Sequence, residues 1–296
     1  MKRSNIQAGF AYTTYNQILS YLPFQLFVAK RKYWLQGELG YYRYVFNYFG
    51  IGNDLPTDYI EKYDARFPRV RFNGLRNIAP GLHAGISYAF DDFNFTRKDS
   101  AGLLATTEVP GGNGGRISSI GFAGNYDTRD NNSFPTKGWF VEAEARTDAK
   151  WTGSEYSFTR LHLNASHYLM PFENHIFAIN GAVTAILGDA PFFQYATLGG
   201  TKRLRGYFEG KYRDKHAALL QAEYRSPFLW RLGLVAFGGY GAAFDSYKTF
   251  KGQYLRFNYG AGMRVMLDQK QRINVRIDYG RGYQSSGFYL TIGEAF

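Results

Sequence analysis

The chain has 296 residues, of which 19% are aromatic (25 Tyr and 26 Phe), with 34 Gly and no Cys. That many tyrosines has no use in a soluble core, whereas amphipathic rings belong at membrane interfaces, where one end is dry and the other wet. The formal net charge of +11 comes from 35 Lys and Arg against 24 Asp and Glu, but these cations are scattered over alternating segments without a basic helix or binding module, which excludes nucleic acid as partner and leaves a lumen wall or lipid phosphates.

The chain begins MKRSNIQAGFAY, basic but without an apolar segment or cleavage site, the pattern of a mature or truncated sequence. No apolar run reaches the roughly 18 residues of a spanning helix, and mean hydropathy is −0.36, values that exclude a helical membrane protein but suit a barrel with a polar lumen. The absence of cysteine fits an oxidising compartment. Period-2 alternation recurs with turn signals between segments, and no stretch has a 3.6 period. About 14 strands are predicted, near 3–14, 17–28, 33–44, 59–75, 81–97, 117–128, 138–149, 156–170, 175–188, 215–227, 231–246, 254–267, 272–282 and 287–296.

The alternation separates two faces. Trp139, Val141, Ala143 and Ala145 oppose Glu142, Glu144 and Arg146; Leu161, Leu163, Ala165 and Leu169 oppose Arg160, His162, Asn164 and Ser166. Further on, Leu255, Phe257, Tyr259, Ala261, Met263 and Val265 oppose Arg256, Asn258, Gly260, Gly262 and Arg264, and Ile273, Val275, Ile277 and Tyr279 oppose Arg272, Asn274, Arg276 and Asp278. In a secreted β-sandwich the apolar face would point inward; in a barrel it meets lipid. Connections alternate between tight ones (29–32, 77–80, 129–137, 171–174, 228–230, 268–271) and mostly longer ones (45–58, 98–116, 150–155, 189–214, 247–253). Short turns belong in the periplasm and long loops outside, so the C-terminus is expected in the periplasm. The fold class expected is all-β: one transmembrane antiparallel β-barrel over 1–296, closed on itself because an open edge strands backbone groups in hydrocarbon.

Three stretches carry a family resemblance. Leu198-Gly199-Gly200-Thr201-Lys202-Arg203-Leu204-Arg205-Gly206-Tyr207 lies in the longest loop, 189–214, and five predicted strands follow it. Tyr126-Asp127-Thr128-Arg129-Asp130 through Phe134-Pro135-Thr136-Lys137-Gly138 reads as a strand-turn-strand unit, in which Asp and Asn side chains can bond nearby backbone donors, Pro135 fixes φ and Gly138 permits re-entry. Gly287 to Phe296 ends on an aromatic, with Phe288, Leu290 and Ile292 sharing a face and Glu294 breaking the alternation. Together they resemble the BamA/TamA family, the bacterial surface antigen barrels of the outer-membrane assembly and two-partner-secretion superfamily. The resemblance is firmest from about residue 117 to the end. Family barrels have sixteen strands and carry periplasmic POTRA domains, so the expectation is a fragment, with two strands missing before residue 3, or a barrel-only relative.

The resemblance implies that Arg205, Gly206 and Tyr207 form a lumen-folding loop motif whose Arg meets acids on the inner wall. Strand parity offers Glu223 first, beside Gln221 and Arg225, and Asp278 second, beside Arg276. A family position that is often acidic on the strand after Glu223 is Gly239 or a neighbour here. Asp127, Arg129, Asp130, Pro135 and Gly138 match the periplasmic hairpin motif, and Phe288, Leu290, Ile292 and Phe296 the terminal strand read by the assembly machinery. Partners implied are outer-membrane lipids, lipopolysaccharide, other assembly subunits and client polypeptides. The function expected is insertion, assembly or translocation of proteins at the bacterial outer membrane, as an accessory barrel; the alternatives are a passive pore, or an outer-membrane lipid-modifying enzyme. An enzyme would need a Ser–His pair, and only His162 and Ser166 share a face; the remaining histidines show no metal-ligand spacing, so no catalytic residue, metal or cofactor is expected.

Overall fold

The computed structural model describes residues 4–53, 58–106, 108–248 and 250–296. The first residues of the predicted strand at 3–14, and parts of the connections 45–58, 98–116 and 247–253, lie outside the described residues.

The wall is a single antiparallel sheet of 15 strands: β1 (Asn5–Ile6), β2 (Gly9–Tyr12), β3 (Ile18–Val28), β4 (Tyr33–Tyr48), β5 (Glu61–Ala79), β6 (Leu82–Arg97), β7 (Gly114–Asp127), β8 (Gly138–Asp148), β9 (Ser157–Phe172) and β10 (His175–Asp189). A two-stranded hairpin in the long loop supplies β11 (Ala196–Leu198) and β12 (Tyr212–Asp214), and the wall resumes with β13 (His216–Arg225), β14 (Leu232–Phe244), β15 (Arg256–Asp268), β16 (Ile273–Gly282) and β17 (Ser285–Ile292). From β3 onward each wall strand pairs with its sequence neighbours, except that β10 pairs with β13 across the loop. No described helix is long and apolar enough to cross a membrane.

β1 and β2 occupy one place in the wall, because both pair with β3 in one register, Asn5↔Gln25 and Gly9↔Tyr21. The break between them falls opposite Pro23, which accepts from the Gln7 N–H at 3.0 Å but has no N–H to return. Counted this way the wall has fourteen strand places. Among the described residues no ladder joins β17 to the first strands. The wall is therefore an open sheet where the sequence reading expects a closed ring; the interrupted two- and four-residue pieces at one edge present few bonding groups to the eight-residue β17 at the other.

Polarity is inverted relative to a soluble protein. Leu161, Leu163, Phe177, Ile179, Val183, Phe257, Phe288 and Leu290 are exposed on the outer face, while Ser166, Asn180, Gln221, Glu223, Arg225, Asn258, Arg264, Arg276 and Asp278 are buried inside. Burial of that polar set is sustainable because each residue has hydrogen-bond or ion-pair partners on the wall or in the loop. Apolar clusters frame it toward the end from which the long loop enters. Tyr48, Tyr63, Phe67, Phe93 and Phe192 form one; Leu198, Leu204, Tyr207, Tyr212 and Leu219 form another.

Candidate functional site: a loop latched to the lumen wall

The segment between β10 and β13 enters the lumen. Its β11–β12 hairpin pairs Ala196 with Asp214 and Leu198 with Tyr212, and its tip runs from Gly199 to Gly206. Gly206 has φ +112°, which an L side chain rarely adopts, and its Cα lies against the backbone of Gly280 and Arg281. A Cβ on Gly280 would come within 2.7 Å of the Arg205 carbonyl oxygen, and one on Gly282 would meet the Tyr207 ring. Glycines on the inward face of β16 are thus what let the loop backbone lie directly on the wall.

Arg205 is the centre of this contact. Its Nη2 donates to Glu223 Oε2 and its Nη1 to Asp278 Oδ2, each at 2.5 Å, and all three side chains are essentially fully buried. The guanidinium carbon stands 3.5 Å from the centroid of the Phe237 ring, and Asn258 Nδ2 donates to the Arg205 carbonyl at 2.7 Å. A planar fork that can reach two carboxylates on different strands while stacking on an aromatic face is a property of arginine, not of lysine. Around it the tip is held at several further points. Gln221 Oε1 accepts from Leu204 N at 3.2 Å, Arg276 Nη2 donates to Thr201 O at 2.9 Å, and Gly206 N donates to Tyr289 Oη at 2.8 Å. Tyr207 Oη donates to Phe257 O at 2.6 Å and accepts from Tyr283 N at 2.8 Å.

The two acids are shared by other arginines. Arg225 Nε donates to Glu223 Oε1 at 2.8 Å, and Arg264 Nη1 to Asp278 Oδ1 at 2.6 Å. Glu294 completes the network, with its Oε2 2.8 Å from Arg264 Nε and its Oε1 accepting from Asn274 Nδ2 at 3.0 Å. At Gly239 no acid is present: the residue faces Gln221 across the ladder, and its neighbour Phe237 supplies the ring beneath Arg205.

The hairpin between β7 and β8 touches the same network from the end of the wall opposite the loop. Asp130 accepts from Thr136 N at 2.8 Å and from the Thr136 hydroxyl at 2.7 Å, which closes the turn, and Arg129 forks onto Asp127, with Nη2–Oδ2 at 2.9 Å. Gly138 has φ +103°. The Pro135 carbonyl accepts from Arg225 Nη1 at 3.4 Å. In the terminal strand, Phe288, Leu290 and Ile292 point outward. The chain leaves β17 at Gly293 (φ +87°), so Phe296 does not continue that face; its main-chain oxygen accepts from Arg225 Nη2 at 3.1 Å instead.

His162 and Ser166 share the inner face without meeting. His162 Nδ1 lies 2.8 Å from Thr184 Oγ1, and Ser166 Oγ accepts from Asn180 Nδ2 at 3.0 Å. The residues that sequence reasoning did not assign to the site are Glu294, Arg264, Phe237, Asn258 and Tyr289. For Glu294 the signal was an acid following a glycine at a strand end.

The chain matches the Omp85 superfamily domain over residues 76–296. It belongs to the Omp85 superfamily. This Omp85 sheet is similar in fold to BamA from Haemophilus ducreyi lacking POTRA domains 1-3 (TM-score 0.61, 14% identity, covering 93% of this chain and 61% of that one). It is also similar to CdiB from Acinetobacter baumannii (TM-score 0.61, 12% identity, 96% and 52%) and to CdiB from Escherichia coli (TM-score 0.58, 10% identity, 93% and 52%). The Omp85 chain thus spans between about half and three fifths of the length of these solved chains. No curated protein matches it in sequence.

Proposed function

We propose that this Omp85 barrel resides in a bacterial outer membrane, where it takes part in the insertion, assembly or translocation of proteins without enzymatic chemistry, and that it acts as an accessory barrel beside other assembly subunits. The observation that carries the reading is Arg205 held between Glu223 and Asp278. It makes residues 189–214 a plug that blocks free diffusion while remaining a separable segment, which suits a barrel that handles polypeptide and does not suit an open pore. The superfamily membership and the fold shared with BamA and CdiB support the same reading. On it, Asp127, Arg129, Asp130, Pro135 and Gly138 brace the periplasmic mouth, and Phe288, Leu290 and Ile292 form the outward strand by which the barrel itself is assembled.

The test is site-specific photocrosslinking in living cells, with the reactive group at Lys202 in the loop tip and at Leu290 on the lipid face of β17. Recovery of an outer-membrane assembly subunit or an unfolded polypeptide supports the proposal. Adducts with lipid and with the barrel alone overturn it.

A further inference from the structure

The outer face of β4 and β5 carries a pair of like charges that the fold leaves unneutralised. Arg43 and Arg66 are direct partners across the ladder, and both are exposed. Directly opposed like charges destabilise a sheet. Among the described residues neither guanidinium has a hydrogen bond or an ion pair. Asp64, on the same face of β5, is engaged by Arg97 Nη2 at 3.2 Å, and Asp92 on β6 stands opposite Arg116. Lys62 adds a further exposed cation on the outer face of β5.

The height of the pair is informative. On the periplasmic side of Arg43 the outward residues of β4 are Tyr41 and Leu39, 46% and 49% exposed; on β5, Val70 and Phe72 occupy the same face. The outward surface changes from apolar to cationic one strand step beyond a tyrosine, where an aromatic girdle meets headgroups. The pattern repeats on β16. Arg281 lies one step beyond the exposed Tyr279, opposite the exposed Tyr259, and with Arg256 it lines a cavity of about 660 Å³. Arg256 belongs to the inner face, with its guanidinium 4.5 Å from the Tyr212 ring centroid and its Nη1 donating to Gln253 O at 2.7 Å, so Arg281 is the outward cation there.

We propose that Arg43 and Arg66, with Arg281 in the corresponding place on β16, bind the phosphate groups of a phosphorylated glycolipid in the outer leaflet. A guanidinium fork matches phosphate oxygens two at a time, and a phosphate between Arg43 and Arg66 turns a repulsive pair into two charge-assisted contacts. A lipid is favoured over a soluble anion because Tyr41 and Leu39 lie directly beneath the pair, where acyl chains pack. This surface is separate from the Arg205 network and does not depend on what the lumen handles.

Native mass spectrometry on the detergent-purified protein tests the assignment, with bis-phosphorylated lipid A, the same lipid dephosphorylated, and inorganic phosphate as competitor. The wild-type protein is expected to retain the phosphorylated lipid and release the dephosphorylated one. Arg43→Gln with Arg66→Gln is expected to lower retention about ten-fold, equivalent to about 1.4 kcal/mol, and Arg281→Gln to lower it further. The protease pattern of the 189–214 loop serves as the folding control for the Arg43→Gln, Arg66→Gln variant, whose positions lie on the outer face of β4 and β5. Equal retention of the dephosphorylated lipid, full retention by the double variant, or displacement of the lipid by millimolar phosphate would each overturn the proposal.

Discussion

Arg205 and Asp278 are 73 residues apart in the chain, and Nη1 of the first lies 2.5 Å from Oδ2 of the second. That contact fastens the long loop between β10 and β13 to the inner wall of β16. The other arm of the same guanidinium reaches Glu223 on β13, Glu223 passes to Arg225, and Arg225 reaches the carbonyls of Pro135 and Phe296. One continuous chain of charge-assisted bonds therefore runs from the loop tip to the β7–β8 turn and the chain end.

Removing Arg205 leaves two buried carboxylates short of a partner, whereas removing either acid leaves the arginine with the other. Breaking a buried pair costs about 3–5 kcal/mol where water is scarce and less in a wet lumen. Arg205→Ala is accordingly expected to free the loop more than Glu223→Ala or Asp278→Ala, with membrane abundance unchanged because the lipid face is untouched. Combining Arg205→Ala with Glu223→Ala should add little to Arg205→Ala alone, since the shared contact is lost once. Limited proteolysis of the loop in intact cells reads both comparisons, and additive effects would show that the two residues act separately.

The glycine seat of the loop gives a test that leaves every charge in place. A methyl group at position 280 would lie 2.7 Å from the Arg205 carbonyl oxygen, a distance the rigid backbone on both sides cannot relieve locally. Gly280→Ala is expected to lift the tip and expose it to protease as Arg205→Ala does, while strand content by circular dichroism stays constant. Gly252→Ala, where nothing stands within 4 Å of the added carbon, is the matched control and is expected to behave as wild type.

Much of this arrangement is legible in the sequence, because a strand's period of two assigns faces without further information. Glu223 and Asp278 fall on the inward face by parity with Gln221 and Arg276. The wall strands lie near the predicted segments, although β5 runs on to Ala79 and β7 begins at Gly114. Other features escape a periodicity reading for physical reasons. The three-residue strands β11 and β12 are too short to show alternation, and the split of the first strand depends on Pro23 in its partner. Parity along β17 would send Glu294 outward with Ile292; the positive φ of Gly293 turns the chain and brings the acid to Arg264 instead. Which of two inward acids receives Arg205 is a matter of three-dimensional convergence, and the guanidinium reaches both.

The loop hairpin should respond to mild acid. Burial pushes the Asp214 carboxyl up to about 6; the Lys215 N–H opposes the rise, nearby Asp245 adds to it, and the Lys215 ammonium opposes it. With a folded value above the ordinary carboxylate value of about 3.9, the associated stability is fully present below about pH 4 and is lost as pH rises through about 6. Backbone amides of residues 196–214 are therefore expected to be better protected from hydrogen exchange at pH 5 than at pH 7.5, after correction for the intrinsic rate. Asp214→Asn should remove that difference. Weaker protection at pH 5 in the wild-type protein would contradict the assignment.

Single-channel conductance in planar bilayers addresses the latched plug most directly, comparing the wild-type barrel with a variant lacking residues 190–214 and with Arg205→Ala. The plug account predicts small conductance for the wild type, a stable larger conductance for the deletion, and openings of intermediate size and frequent closure for Arg205→Ala, whose loop is released but still tethered. A deletion variant that conducts no better than the wild type would contradict it, because the lumen would then be closed by the wall itself and Arg205 would hold nothing that matters to passage.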